Sequence, residues 1–161
     1  MVFSVAEREE RIVQYERGPM LIRDALALVP DGALRWRPAE GRWSVHEIVC
    51  HCADSETNGA ARIRYLVAQT EPVILGYDQD EWARVFNYHA LPLEPALHTI
   101  EAVRASTTPL LRALPEAAWG KEGRHSDSGR YSAQDWLRIY SDHLEKHARQ
   151  IERNLAAWQE S

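Results

Sequence analysis

Cysteine is nearly missing from this chain: there are two in 161 residues, Cys50 and Cys52. They lie two positions apart inside an expected helix, where a bridge between them would break helical geometry, so a disulfide framework is excluded. No apolar run reaches the roughly 18 residues that a membrane-spanning helix needs. A basic excess is lacking as well. Lys and Arg number 19 against 24 Asp and Glu, for a formal net charge of −5, and no basic stripe offers a footprint for nucleic acid. Arg35 and Arg37 beside Trp36 read as solvated side chains rather than a phosphate cradle. The stretch from Met1 to Glu10 is too acidic and too poor in apolar residues for a signal peptide, which makes the cytoplasm the expected compartment. No internal repeat, low-complexity tract or convincing alternating strand is present. The length suits one domain over residues 1–161 with a single core.

What is present is helical patterning. Ser4 and Glu7 form a capping-box signature ahead of Ile12, Val13 and Tyr15. Gly18-Pro19 predicts a kink or short break, because proline removes an amide donor and crowds the preceding turn. The pattern resumes through Met20, Leu21, Ile22, Ala25, Leu26 and Val29, and Pro30-Asp31-Gly32 ends it. Residues 30–43 read as a connecting loop pinned by Trp36 and Trp43. A second capping box, Ser44 with Glu47, opens a helix to about Gln69, stopped by Glu71-Pro72. A shorter helix is expected from about Gln79 to Tyr88, capped by Asp78. A third long helix starts near Glu94-Pro95, carries a possible bend at Pro109 and ends at Leu114-Pro115. Residues 119–131 are rich in Gly, Ser and charge and read as loop. The last helix, capped by Ser132 and Asp135, places Trp136, Ile139, Tyr140, His143, His147, Ile151, Leu155 and Trp158 on one stripe. Four long helices define an all-α fold, a four-helix bundle whose cofactor sites form between facing helices.

Three of the seven histidines are then candidates for one site. His143 and His147 are four residues apart and share a helix face. His51 lies about two turns into the second long helix. Two ligands from one helix and one from a neighbour make a three-histidine metal site with an open coordination position, as catalytic sites have. The alternative is a pair of buried histidines hydrogen-bonded inside the bundle. That arrangement must find partners for four ring nitrogens, whereas a shared cation satisfies two at once.

Cys50-His51-Cys52 suggests a thiolate site, but successive helical side chains point about 100° apart and cannot converge on one ion. Cys52 reads as a small core residue and Cys50 as belonging to another face. His46 is expected to be solvated in a first helical turn. His89 and His98 read as surface or boundary residues, and His125 as a loop residue. Asp54 and Glu47, each one turn from His51, are candidates to orient its ring, with Asp80, Tyr140, Asp142 and Glu145 as further polar candidates. No general base is singled out. A cleft is expected at the end of the bundle that holds His51, walled by residues 76–89 and 120–131.

The chain resembles the DinB/YfiT-like superfamily of metal-binding four-helix proteins over nearly its whole length. The carriers are Arg37-Pro38, Trp43-Ser44-Val45, Glu47-Ile48-Val49, His51, Ala53-Asp54-Ser55-Glu56, and His143-x-x-x-His147 followed by Arg149-Gln150-Ile151. Tyr77-Asp78-Gln79-Asp80-Glu81-Trp82-Ala83 is similar to a segment of one branch. The resemblance implies an up-down-down-up-like bundle with short connecting helices and a divalent metal, nickel or zinc, on His51, His143 and His147. It also implies a homodimer and a small-molecule substrate. Two chemistries go with it: metal-dependent hydrolysis, and transfer or isomerisation with a low-molecular-weight thiol. A non-enzymatic binding role is the third reading.

Overall fold

The computed structural model describes residues 3–161; Met1 and Val2, the start of the acidic N-terminal stretch, lie outside the described residues. Four long helices carry the fold: α1 (Val5–Ala27), α3 (Val45–Ala68), α5 (Leu93–Ala113) and α6 (Ala133–Gln159). Two short helices connect them, α2 (Asp31–Leu34) and α4 (Gln79–Val85). The capping boxes form as the sequence predicts. Ser4 with Glu7, Ser44 with Glu47 and Ser132 with Asp135 each satisfy two end donors reciprocally.

Side-chain contacts fix the order and direction of the helices. Phe3 meets Gln134, Arg11 meets Ser141 and Arg17 meets Glu145, so α1 and α6 run parallel. Arg23 meets Glu94 while Arg112 meets Glu9, so α5 runs against α1. Trp136 bonds Gly59 and His143 bonds Glu56, so α6 also runs against α3. Around the bundle the order is α1-α5-α3-α6, an up-down-down-up arrangement in which α1 and α3, consecutive in the chain among the long helices, sit diagonally.

Two large apolar clusters fill the bundle, and a small third one, Cys50 with Ala83 and Tyr88, lies under α4. Of the large two, one gathers Ile12, Tyr15, Ile63, Leu111, Trp136 and Tyr140. The other gathers Ile22, Ile48, Val49, Leu97, Leu144 and Ile151. On each long helix the residues between them are polar or very small: Gly18, Glu56, Arg104 and His143. A polar layer therefore crosses the bundle at mid-height.

Four sequence expectations need correction. Of the kink or short break expected at Gly18-Pro19, the break is absent: α1 runs without interruption from Val5 to Ala27. Proline at 19 deprives the Tyr15 carbonyl of its helical donor, and the guanidinium of Arg104 takes that place. Residues 119–131 are not all loop. Strands β2 (Glu122–His125) and β3 (Gly129–Ser132) form an antiparallel hairpin, and β2 pairs in parallel with β1 (Val73–Ile74). These strands are too short to print an alternating pattern. Gly129, at φ 78°, supplies the left-handed residue of the hairpin turn. The third correction is α4, which ends at Val85 rather than Tyr88, because Asn87 enters the left-handed region at φ 46°. Lastly, the 30–43 connection contains α2.

Gly59 sets the approach of α6 to α3. A Cβ there would fall inside contact distance of the Tyr140 ring, which is held by stacking on Trp136 at 4.9 Å. Gly59→Ala should therefore destabilise the protein by about 1–3 kcal/mol, the usual range for overpacking. A denaturant titration measures this, and an unchanged midpoint would show that the aromatic pair can give way.

Candidate metal centre

The three candidate histidines come together where α3 faces α6. One nitrogen from each of His51, His143 and His147 lies within 4.8 Å of the other two. The ring centroids are 5.6 Å apart for His51 and His143, 4.9 Å for His51 and His147, and 4.6 Å for His143 and His147. The four-residue step on α6 and the antiparallel course of α3 produce this convergence. His51 is 1% exposed, and the other two are half-buried.

The surroundings disfavour the charged form of two of the rings. Burial, reinforced by His147 and His143, pushes the His51 imidazole down to about 2. Burial and His143 push His147 down to about 4. Neutral imidazole is the form that binds cations. The second nitrogen of each α6 ring is engaged. His143 Nδ1 is 3.1 Å from Glu56 Oε1, and His147 Nδ1 is 3.0 Å from Gln150 Oε1. Carboxylate and amide oxygens only accept, so each Nδ1 donates, which leaves Nε2 as the nitrogen that can face an ion. His51 Nδ1 is buried with no hydrogen-bond partner. A buried orphan nitrogen is an unsatisfied group in a folded interior. Three imidazoles with such an orphan among them fit a borderline-soft divalent cation.

Glu56 is fully buried, and Arg104 is 1% exposed. Arg104 Nε and Nη2 reach the two Glu56 oxygens at 2.8 and 2.7 Å. Burial acts to raise the Glu56 pKa, and the guanidinium outweighs it, holding the carboxyl well below the usual carboxylate range. Neither residue stood out in the sequence reading as a site candidate.

Several sequence candidates land elsewhere. Asp54 accepts the Tyr88 hydroxyl at 2.5 Å. Glu47 caps α3 and pairs with Arg37. Asp142 and Glu145 bind Gln14, Arg11 and Arg17 across the α1 seam. Asp80 is exposed. Tyr140 does adjoin the site, with its ring 5.7 Å from His143. Cys52 is a core residue as expected, and Cys50 turns its thiol toward the Tyr88 carbonyl. His46 is not solvated: it is 5% exposed and its Nε2 is 2.8 Å from the Leu91 carbonyl. That segment folds back over the start of α3 and covers it. His89 meets Ser44 Oγ at 2.8 Å, His98 faces solvent beside Glu94, and His125 sits on β2 against Tyr131.

At the His51 end, the Trp43 ring lies 4.6 Å from the His51 ring. A cavity of about 360 Å³ opens beside Trp43, lined by Arg37, Gly41, Arg42, Glu47, Asp80, Ala83 and Arg84. Asp80, Ala83 and Arg84 of the 76–89 segment line it, the hairpin does not, and it borders the site through Trp43 rather than through the three histidines themselves.

An up-down-down-up bundle with three inward histidines on facing antiparallel helices defines a narrow structural class. The chain belongs to the DinB superfamily, whose family model matches residues 14–151. It is 31% identical over 142 residues to an Oceanobacillus iheyensis protein named "Putative metal-dependent hydrolase", covering 88% of this chain and 82% of that one. Its fold is that of YfiT from Bacillus subtilis, described as a probable metal-dependent hydrolase with an unusual four-helix bundle topology. The TM-score is 0.90 at 22% identity, over 98% of this chain and 90% of that one. A mycothiol-dependent maleylpyruvate isomerase shares the bundle at TM-score 0.71 and 18% identity. The match covers 89% of this chain and 60% of the isomerase. No helix among the described residues is long and apolar enough to cross a membrane.

Proposed function

We propose that His51, His143 and His147 hold a divalent cation, nickel or zinc, and that the protein is a metal-dependent hydrolase of a small molecule. The observation that carries this reading is the convergence of three imidazoles, one with a buried orphan nitrogen. A divalent ion with three protein ligands and an open position supplies Lewis acidity and lowers the pKa of water. The chain's own residues do the rest. Glu56 and Gln150 orient two of the rings, Trp43 shields His51 on one side, and the cavity beside Trp43 offers room for a substrate. The hydrolase names of the relatives favour water as the nucleophile.

A second reading replaces water by a low-molecular-weight thiol. The isomerase that shares the bundle favours it, since its activity is mycothiol-dependent. A homodimer belongs to the same proposal.

The test is elemental analysis of purified protein, then turnover of esters and amides with and without added thiol. We expect about one divalent ion per chain and hydrolysis with water alone. Activity should fall on chelation and return with the ion, while far-ultraviolet circular dichroism stays unchanged. Strict dependence on added thiol would move the assignment to the second reading. Absence of turnover with any metal would leave a binding role. Full activity after chelation would end the metal reading.

A further inference from the structure

Gly18-Pro19, Arg104, Glu56 and His143 form one connected path from α1 to the histidine cluster. Pro19 carries no N–H, so the Tyr15 carbonyl one turn earlier lacks its helical partner. Arg104 Nη1 fills that vacancy. Gly18 leaves the space for it, since a Cβ at 18 would stand 2.6 Å from Arg104 Nη1 and 3.0 Å from Leu144. The same guanidinium sits 3.9 Å from the Tyr15 ring centroid and donates to the Tyr140 carbonyl at 3.0 Å. Its remaining face is the bidentate fork on Glu56. Arg104 is thereby fixed on every side, and Glu56 with it. Only then does Glu56 Oε1 meet His143 Nδ1 at 3.1 Å.

We propose that the Glu56–Arg104 pair is a positioning device for His143, setting the ring's orientation and tautomer so that Nε2 always faces the shared centre. This rests on the metal reading of the triad. The argument is one of satisfiability. A carboxylate locked by a guanidinium fork can only accept, so a ring beside it must carry its proton on Nδ1. Residues that hold a ligand's second nitrogen in this way commonly matter about 10–100-fold in metal affinity. A purely structural ion pair could sit anywhere in the core. This one lies in the polar layer, against a ring of the triad, and Glu56 is the carboxylate hydrogen-bonded to that ring. The pair is a positioning element, since His143 stands between it and the centre.

Two readouts test this. In metal-free protein, two-bond nitrogen–proton correlations of the imidazole rings should show His143 as a single tautomer protonated on Nδ1. The double variant Glu56→Leu/Arg104→Met removes both charges together, an exchange that buried pairs often tolerate. It should fold, show mixed His143 tautomers and bind zinc about 10–100-fold more weakly. Glu56→Gln, which keeps the shape and an acceptor oxygen, should retain the Nδ1 tautomer and recover part of the affinity. The proposal is overturned if the parent His143 carries its proton on Nε2. It is overturned equally if the folded double variant keeps a single tautomer and parental zinc affinity. The tautomer decides the matter whether or not zinc binds, so a parent that takes up no zinc removes the metal reading alone.

Discussion

His147→Ala is expected to leave the protein folded and without stoichiometric metal. The ring of His147 is half-buried, and its one hydrogen bond is to Gln150 on the same helix. Alanine at this position therefore removes a candidate ligand and breaks no tie between helices. A direct ligand matters more than the groups behind it, so the loss of affinity should exceed the about 10–100-fold that such outer partners contribute. His143→Ala should lose the ion as well, with an added stability penalty, because Glu56 then loses a donor in a buried layer. Elemental analysis after dialysis reads both. Retention of one ion per chain in both variants would remove His143 and His147 from the ligand set.

Arg104→Ala is expected to produce the largest loss of stability. Removing one partner of a buried ion pair leaves the other charge uncompensated, at about 3–5 kcal/mol. Arg112 provides the contrast. It too pairs with carboxylates, Glu9 and Glu16, but its side chain is 39% exposed. Arg112→Ala should change stability by no more than about 1 kcal/mol, as exposed pairs do. Urea denaturation of the two variants measures the difference. Similar midpoints would mean that Arg104 is not as firmly paired as its bonds imply.

The long helices and the triad were legible because both depend on local rules. Ser44 and Ser132 announce helix starts through partners three residues on, and the step from His143 to His147 is one helical turn. The hairpin was not legible, since its strands hold four residues each and its stability comes from pairing with Val73–Ile74 far away in the chain. The burial of His46 is hidden for a similar reason: what covers it is the Leu91 segment, nearly the whole of α3 and α4 later. Glu56 and Arg104 did leave a signal. Cys52, Glu56, Gly59 and Ile63 follow one another at helical steps on the buried stripe of α3, and Ile100, Arg104, Thr107 and Leu111 do so on α5. A lone acid on one apolar stripe and a lone base on another predict each other, because neither is stable in a core alone. The proline in α1 could not be read correctly without them. Its breaking effect is offset by a donor 89 residues beyond the Tyr15 carbonyl that it serves.

Arg104 also bears on how the molecule comes apart. Its guanidinium, carried on α5, is bonded to a carbonyl of α1, a carboxylate of α3 and a carbonyl of α6. Any partly assembled bundle lacking one of these helices would hold a charge out of water with a donor unfilled, or would have to flood its centre to hydrate it. Three-helix species are thus penalised from whichever side they form. Unfolding should then be all-or-none, with fluorescence and circular dichroism tracing a single shared transition. In a bundle whose core is divided into two apolar halves, it is the polar layer between them that makes the halves fold as one unit.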